Sequence, residues 1–268
     1  GDPSKKIEIN VFDKDGLYYS QNLNNNSWVR LNKRYYTDWV VNIFEDGNLI
    51  HANKLLLENT RVLISFASSS LGDNIAWIPY CLEFKKKHNC HVIVSTFWNQ
   101  LFEDVYPELE FVAPGSMVNN LYAMYTIGWF FDSDLEPEKP NTIPLQKAAT
   151  NILGLEYKEI KPKINFTPKN RPIDKKYITI ATNSTSGCKF WTREGWQKLI
   201  NYFHNLGYDI INVSKENNPF DNCSKIDDTS INNTMNVIYH SELFIGLSSG
   251  LSWLAWAISN KDVVMISN

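Results

Sequence analysis

The stretch that decides the fold is RVLISFASSSLGDNIAWIPYCLEFKKKHNC, Arg61 to Cys90. Val62, Leu63, Ile64 and Phe66 make a short apolar run of the kind that fills a strand buried on both faces. Ser68, Ser69 and Ser70 follow, then Leu71-Gly72-Asp73-Asn74, a turn of small and polar residues. Ala76 to Lys87 reads as a helix, with Ile78, Cys81 and Leu82 on one side. Lys85 to Lys87 fall in its last turn, where cations complement the helix dipole. Pro79 suits only a first turn, which puts the expected start of regular helix near Ala76. Strand, turn and helix leave one carboxylate, Asp73, beyond the carboxyl end of a strand, where open α/β sheets bind ligands. An Asp before a helix is most often just an N-cap. The Gly-Asp pair therefore needs support from elsewhere in the chain.

Upstream, the pattern is different. Lys6 to Phe12 alternates around Ile7, Ile9 and Val11, and Asp15-Gly16 and Glu45-Asp46-Gly47-Asn48 are turn signals. Trp28 to Leu31, Asp38 to Phe44 and Leu49 to Ala52 are β-prone, and Asn22 to Asn26 is a loop. Residues 1–60 are thus expected to form a small antiparallel β module.

Downstream of Arg61 the chain alternates strands with helices, the mark of a parallel sheet. His91 to Ser95 and Glu110 to Val112 read as strands, Gln100 to Tyr106 and Leu145 to Leu153 as helices, and Tyr122 to Phe131 is ambiguous. Pro162, Pro168 and Pro172 mark residues 159–175 as a linker between a first Rossmann-like unit, 61–158, and a second, 176–268. In the second unit Tyr177 to Ala181, Tyr208 to Val213, Leu243 to Ile245 and Val263 to Ile266 are strands. Arg193 to Leu206, Ile231 to His240 and Leu251 to Ile258 are helices, the first facing inward with Trp196, Leu199, Ile200 and Phe203. This second unit reads as incomplete at its C-terminal end. The fold class expected is α/β: a GT-B-like pair of Rossmann-type units behind an antiparallel β module, an outline that kinases, binding proteins and dehydrogenases share.

Composition narrows the function. The 268 residues are 43% hydrophobic and 21% charged, ordinary for a globular protein. The formal net charge of -3 gives no argument for nucleic acid or an anionic membrane as partner. No apolar run nears the roughly 20 residues of a membrane span, and GDPSKK is not a secretory signal. A cytoplasmic protein is the expectation. Cys81, Cys90, Cys188 and Cys223 are scattered, without a C-x-x-C, and read as buried free thiols rather than metal ligands. No histidine spacing points to a metal either. Aromatics reach 13%, with nine tryptophans, enough to pack a core and line a sugar or base site.

Two loops of the second unit carry candidate chemistry. Asn183-Ser184-Thr185-Ser186-Gly187-Cys188-Lys189-Phe190-Trp191 follows a strand; its small residues allow close approach to phosphate oxygens and Lys189 supplies a point charge. It is no Walker loop, and a polar surface loop would look much the same. Ile245-Gly246-Leu247-Ser248-Ser249-Gly250-Leu251 ends another strand and opens a helix. Its N–H groups make a ready anion site, although a plain capping turn has the same composition. Lys215 and Glu216 lie just past the strand Tyr208 to Val213, a place where, if the GT-B-like outline holds, such enzymes commonly seat the nucleoside.

The segments SSSLGDNIAWIP, KFWTREGWQKLI and FIGLSSGLSWLAWA resemble the TibC-like bacterial autotransporter heptosyltransferases, near glycosyltransferase family 9. The similarity runs from about Arg61 to Asn268, and the β module is similar to the small β-barrel-like domain that precedes the sheet there. The resemblance implies an inverting transfer of heptose from ADP-heptose to serine hydroxyls of an autotransporter adhesin. It implies Asp73 as general base. Donor contacts are implied for Ser70, Gly72, Asn183, Ser184, Thr185, Lys189, Trp191, Glu216, Ser248, Ser249, Gly250 and Leu251. Ser248 stands where the family has an acidic residue, and Trp253 where it has a histidine. Homo-oligomers are implied, as is a structural iron held by a Cys-rich finger that this sequence does not contain. The alternatives are a nucleotide-sugar-binding module without catalysis, and a heptosyltransferase acting on lipopolysaccharide.

Overall fold

The computed structural model describes residues 5–24, 26–216, 219–259 and 262–267. Strands β1 (Ile7–Asp13), β2 (Gly16–Leu23), β3 (Val40–Glu45) and β4 (Asn48–Lys54) form an antiparallel sheet in the order β2-β1-β3-β4. The β3–β4 turn is Asp46-Gly47, with φ of 49° and 83°, the pair of positive values that matches strand twist in a two-residue hairpin. Trp28 to Leu31, expected to be β-prone, is not a strand, and Trp28 is exposed. That stretch leads into backbone bonds made outside any ladder, Arg34 N–H to the Asp134 carbonyl at 2.7 Å and Tyr36 N–H to Ile152 at 2.8 Å. β1 pairs with β3 on one side and, on the other, with β2, a strand that the sequence pattern does not mark.

Strands β5 (Arg61–Phe66), β6 (His91–Ser95), β7 (Glu110–Val112) and β8 (Ala123–Ile127) form the first Rossmann-type sheet, in the order β7-β6-β5-β8. In β5, Val62, Ile64 and Phe66 are buried while Arg61, Leu63 and Ser65 are only half-buried, so one face carries the core and not both. Helix α1 (Leu71–His88) follows. It starts five residues ahead of the expected Ala76, and Pro79 lies inside it. Its first i to i+4 bond runs from the Asn74 N–H to the Ser70 carbonyl at 3.2 Å. Ile75, Ala76, Trp77 and Ile78 are wholly buried, and burial of that size outweighs the one hydrogen bond that proline removes. Gln100 to Tyr106 is only a 3-10 turn at Asn99–Leu101 followed by turns.

Helix α2 (Leu145–Leu153) stops at Gly154, which is left-handed at φ 62°. Glycine is needed there twice over, since a Cβ would run into the Tyr36 ring. That ring packs on Phe84, His88 and Tyr125.

The second parallel sheet is built from β9 (Tyr177–Ala181), β10 (Asp209–Asn212), β11 (Ser224–Lys225), β12 (Phe244–Leu247) and β13 (Val263–Ile266), in the order β11-β10-β9-β12-β13. Side chains alternate across it. Tyr177, Ala181, Ile211 and Phe244 pack with Val237 and Ile238 of helix α4 (Ile231–His240) and Ala255 of helix α5 (Gly250–Ile258). Ile178, Ile180, Ile210, Ile245 and Leu247 pack with Trp196 and Ile200 of helix α3 (Arg193–Asn205). This is a doubly wound sheet with helices on both faces. Cys81 and Cys90 are buried free thiols as expected, whereas Cys223 is half-buried and Cys188 exposed.

Contacts divide the chain into two compact units. One gathers Gly1–Ala67, Tyr80–Ser95 and Pro114–Lys158; the other gathers Ser68–Pro79, Thr96–Ala113 and Glu159–Asn268. The Ser68–Asp73 turn therefore belongs to the same unit as the second parallel sheet.

Candidate active site

In the second sheet the chain order reverses between β9 and β12, which lie side by side. A doubly wound sheet opens its ligand crevice beyond the carboxyl ends of those two strands. The loops after them are the two that the sequence singles out. Thr182, just past β9, anchors the first: its N–H donates to Ser214 Oγ at 2.9 Å and its hydroxyl to Asn183 Oδ1 at 2.9 Å. Ser184 Oγ donates to the Ser248 carbonyl at 3.5 Å, joining the two loops. Lys189 ends a 3-10 turn, Gly187–Lys189, and is half-buried, while Thr185 is exposed. Trp191 stands edge-on to Trp196, centroids 5.3 Å apart, and covers Gly195, so its ring packs on the start of α3. Glu216 is exposed on a bend past β10.

The start of α5 is unlike its neighbours. Thr192 caps α3 by accepting the Gly195 N–H, and Ser230 caps α4 by accepting the Asn233 N–H. Ser249 occupies the same position on α5 without such a bond, and its buried Oγ meets no hydrogen-bond partner among the described residues. The first N–H groups of α5 therefore lack a hydroxyl cap, at the end of a helix that favours anions.

Asp73 reaches this point through two glycines. A Cβ on Gly72 would lie 3.1 Å from the Gly250 Cα and 3.1 Å from the Trp253 ring; one on Gly250 would lie 3.1 Å from the Gly72 nitrogen. The starts of α1 and α5 thus touch backbone to backbone, which larger residues would prevent. Asp73 is 9% exposed, and its Oδ2 accepts the Ser68 hydroxyl at 2.5 Å. Asn74 is wholly buried; its amide donates to the Ser68 carbonyl at 2.8 Å and the Ser70 carbonyl at 2.7 Å. Its oxygen accepts the Phe97 N–H at 3.3 Å, and Trp98 Nε1 donates to the Ser69 carbonyl at 3.0 Å. Ser68, Asn74 and Trp98 were missed by sequence reasoning. The only local sign was a run of serines closed by an Asp-Asn pair, side chains that bond their own turns.

Ser70, Gly72, Asp73, Asn183, Ser184, Lys189 and Ser248 to Leu251 all belong to one unit, in which Gly72 meets Gly250 and Ser184 meets Ser248. A carboxylate beside an uncapped helix start can take a proton from a hydroxyl while the helix holds a phosphate-bearing leaving group.

The sequence profile of glycosyltransferase family 9 (heptosyltransferase) matches residues 143–265. The autotransporter heptosyltransferase Aah of Escherichia coli is 31% identical over 285 residues, 99% of this chain and 72% of that protein. BimC of Burkholderia thailandensis, named an inactive autotransporter heptosyltransferase, is 28% identical over 251 residues, 88% of this chain and 59% of that one. The crystal structure of TibC in complex with ADP-D-beta-D-heptose superposes with a TM-score of 0.89 at 27% identity, covering 99% of this chain and 74% of that one. TibC is described as dodecameric and iron-containing. Among the described residues here, no three of His, Cys, Asp or Glu gather in a way that fits an iron ion. No described helix is long and apolar enough to cross a membrane. With a GT-B-like fold and 31% identity to Aah across nearly its whole length, the chain belongs to the autotransporter heptosyltransferases, glycosyltransferases of family 9.

Proposed function

We propose that this protein transfers heptose from ADP-heptose to serine hydroxyls of an autotransporter adhesin, by single displacement with inversion at the anomeric carbon. Asp73 takes the acceptor proton as the hydroxyl oxygen attacks C1 and the bond from C1 to the diphosphate breaks. Lys189 and the N–H groups at Ser249 to Leu251 stabilise the charge left on the diphosphate. The observation that supports this reading is the Gly72–Gly250 contact, which brings the turn bearing Asp73 against the start of α5. On this reading residues 61–158 serve the acceptor and 176–268 the donor, with 159–175 as linker. A cytoplasmic homo-oligomer is part of the same proposal, by likeness to TibC.

The test is incubation of the purified protein with ADP-heptose and an adhesin passenger fragment, followed by intact mass. A gain of one heptose per modified serine is expected. Unchanged passenger mass with an active Aah control alongside would overturn the acceptor assignment.

A second reading, a nucleotide-sugar-binding module without turnover, is favoured by the inactive relative BimC and by Ser248 in the acidic position. Calorimetry with ADP, GDP and UDP separates the two: nucleotide binding with no transfer to any acceptor supports the module.

A further inference from the structure

We propose that Ser68 is a positioning residue for the transfer step, setting the rotation of the Asp73 carboxylate, and that Asn74 holds the turn from which Ser68 acts. This rests on Asp73 being the general base. A carboxylate turns about its last bond in a broad, two-fold well, so a single strong hydrogen bond can decide where its oxygens point. Ser68 makes such a bond: its hydroxyl meets Asp73 Oδ2 at 2.5 Å, within the charge-assisted range for a hydroxyl on a carboxylate. The direction of that proton is also fixed. Ser68 Oγ accepts the Ser70 N–H at 3.1 Å, which leaves the hydroxyl hydrogen for Asp73.

The backbone beneath Ser68 is fixed in turn. Both protons of the Asn74 amide are used, one on the Ser68 carbonyl and one on the Ser70 carbonyl, while its oxygen holds the Phe97 N–H. An Asn side chain has two donors and one oxygen to offer, and all are committed to the turn. An acidic residue at the third position of a helix often reaches back to the cap residue's own N–H. Here the hydroxyl two residues ahead of the cap also bonds the carboxylate, a contact that capping by Asp73 does not itself require.

The test compares Ser68→Ala, Ser68→Thr and Asp73→Asn in ADP-heptose transfer to the passenger fragment, with KM for ADP-heptose and kcat measured separately. Ser68→Ala is expected to lower kcat about 10- to 100-fold with KM changed less than about twofold, the scale of a misplaced catalytic group. Ser68→Thr keeps the hydroxyl and is expected to return kcat to within about threefold of the parent. If Asp73→Asn abolishes transfer while Ser68→Ala keeps the parent kcat, the positioning role is overturned and the base assignment survives. If Asp73→Asn turns over normally, the base assignment itself fails. A Ser68→Thr variant as slow as Ser68→Ala, with melting temperature unchanged, also overturns the role of the hydroxyl.

Discussion

Three helices of the second unit begin with a hydroxyl residue, and the three hydroxyls do different things. Thr192 and Ser230 turn back onto their helices and close the first turn. Ser249, at the start of α5, does not, and its oxygen is buried without a partner among the described residues. A hydroxyl that caps is accounted for by the stability of its own helix. One that could cap and does not leaves N–H groups at a helix start without that partner, and that is the useful mark of a binding end. The difference is invisible in composition, because a Ser at N-cap reads the same way in all three.

The strongest challenge to this contrast concerns the carboxylate beside the uncapped start. Asp73→Asn is expected to lower kcat by about 10²–10⁴-fold, the contribution of a general base, with ADP affinity unchanged in calorimetry. Loss of affinity as large as the loss of rate would make Asp73 a donor contact instead. Next in size, Lys189→Ala should weaken ADP binding by about 1.5–3 kcal/mol, as for a hydrogen bond to a charged group. Exposed Lys198, on α3, should change it by less than about 0.5 kcal/mol when replaced by Ala. Equal affinities would leave α5 as the only supported anion contact.

A control lies in the other unit, at Glu136, 2% exposed and pushed by burial from about 4.5 up to about 7. A raised carboxyl binds its proton more tightly when folded, so its contribution is complete below about pH 4.5 and is lost as pH rises through about 7. Glu136→Gln should remove that slope and gain about 1–3 kcal/mol over the parent above pH 7, read by urea midpoints. ADP affinity should not move. The smallest effects are at the caps themselves. Thr192→Ala should cost about 1 kcal/mol of stability and leave ADP affinity alone. Ser249→Ala should do the reverse, with stability within about 0.5 kcal/mol and ADP binding weaker by about 0.5–1.5 kcal/mol. If the two variants behave alike, the contrast between the helix starts has no functional meaning.

The order of elements was legible because period-2 and period-3.6 patterns change cleanly at Arg61, and the proline-rich 159–175 stretch separates two such runs. The two loops after β9 and β12 were legible for the same reason, since strand ends can be read and ligands gather there. What could not be read was the clamp around Asp73. Asn74 looks like any polar turn residue until Ser68, Ser70 and Phe97 are brought around it by the fold. Trp191, expected at the donor, is half-buried, and its ring packs on Trp196 and Gly195, a contact the sequence did not reveal.

Pro79 has one further consequence. Lacking an N–H, it leaves the Ile75 carbonyl without its helical donor, so the ladder of α1 is broken once between the turns that carry Asp73 and those that run on to His88. Cooperative opening in native proteins follows such breaks. Amide hydrogen exchange along α1 should therefore show two protection levels that change at Pro79. Nucleotide binding should slow exchange only in the segment before it, giving the reacting end of the helix a motion of its own.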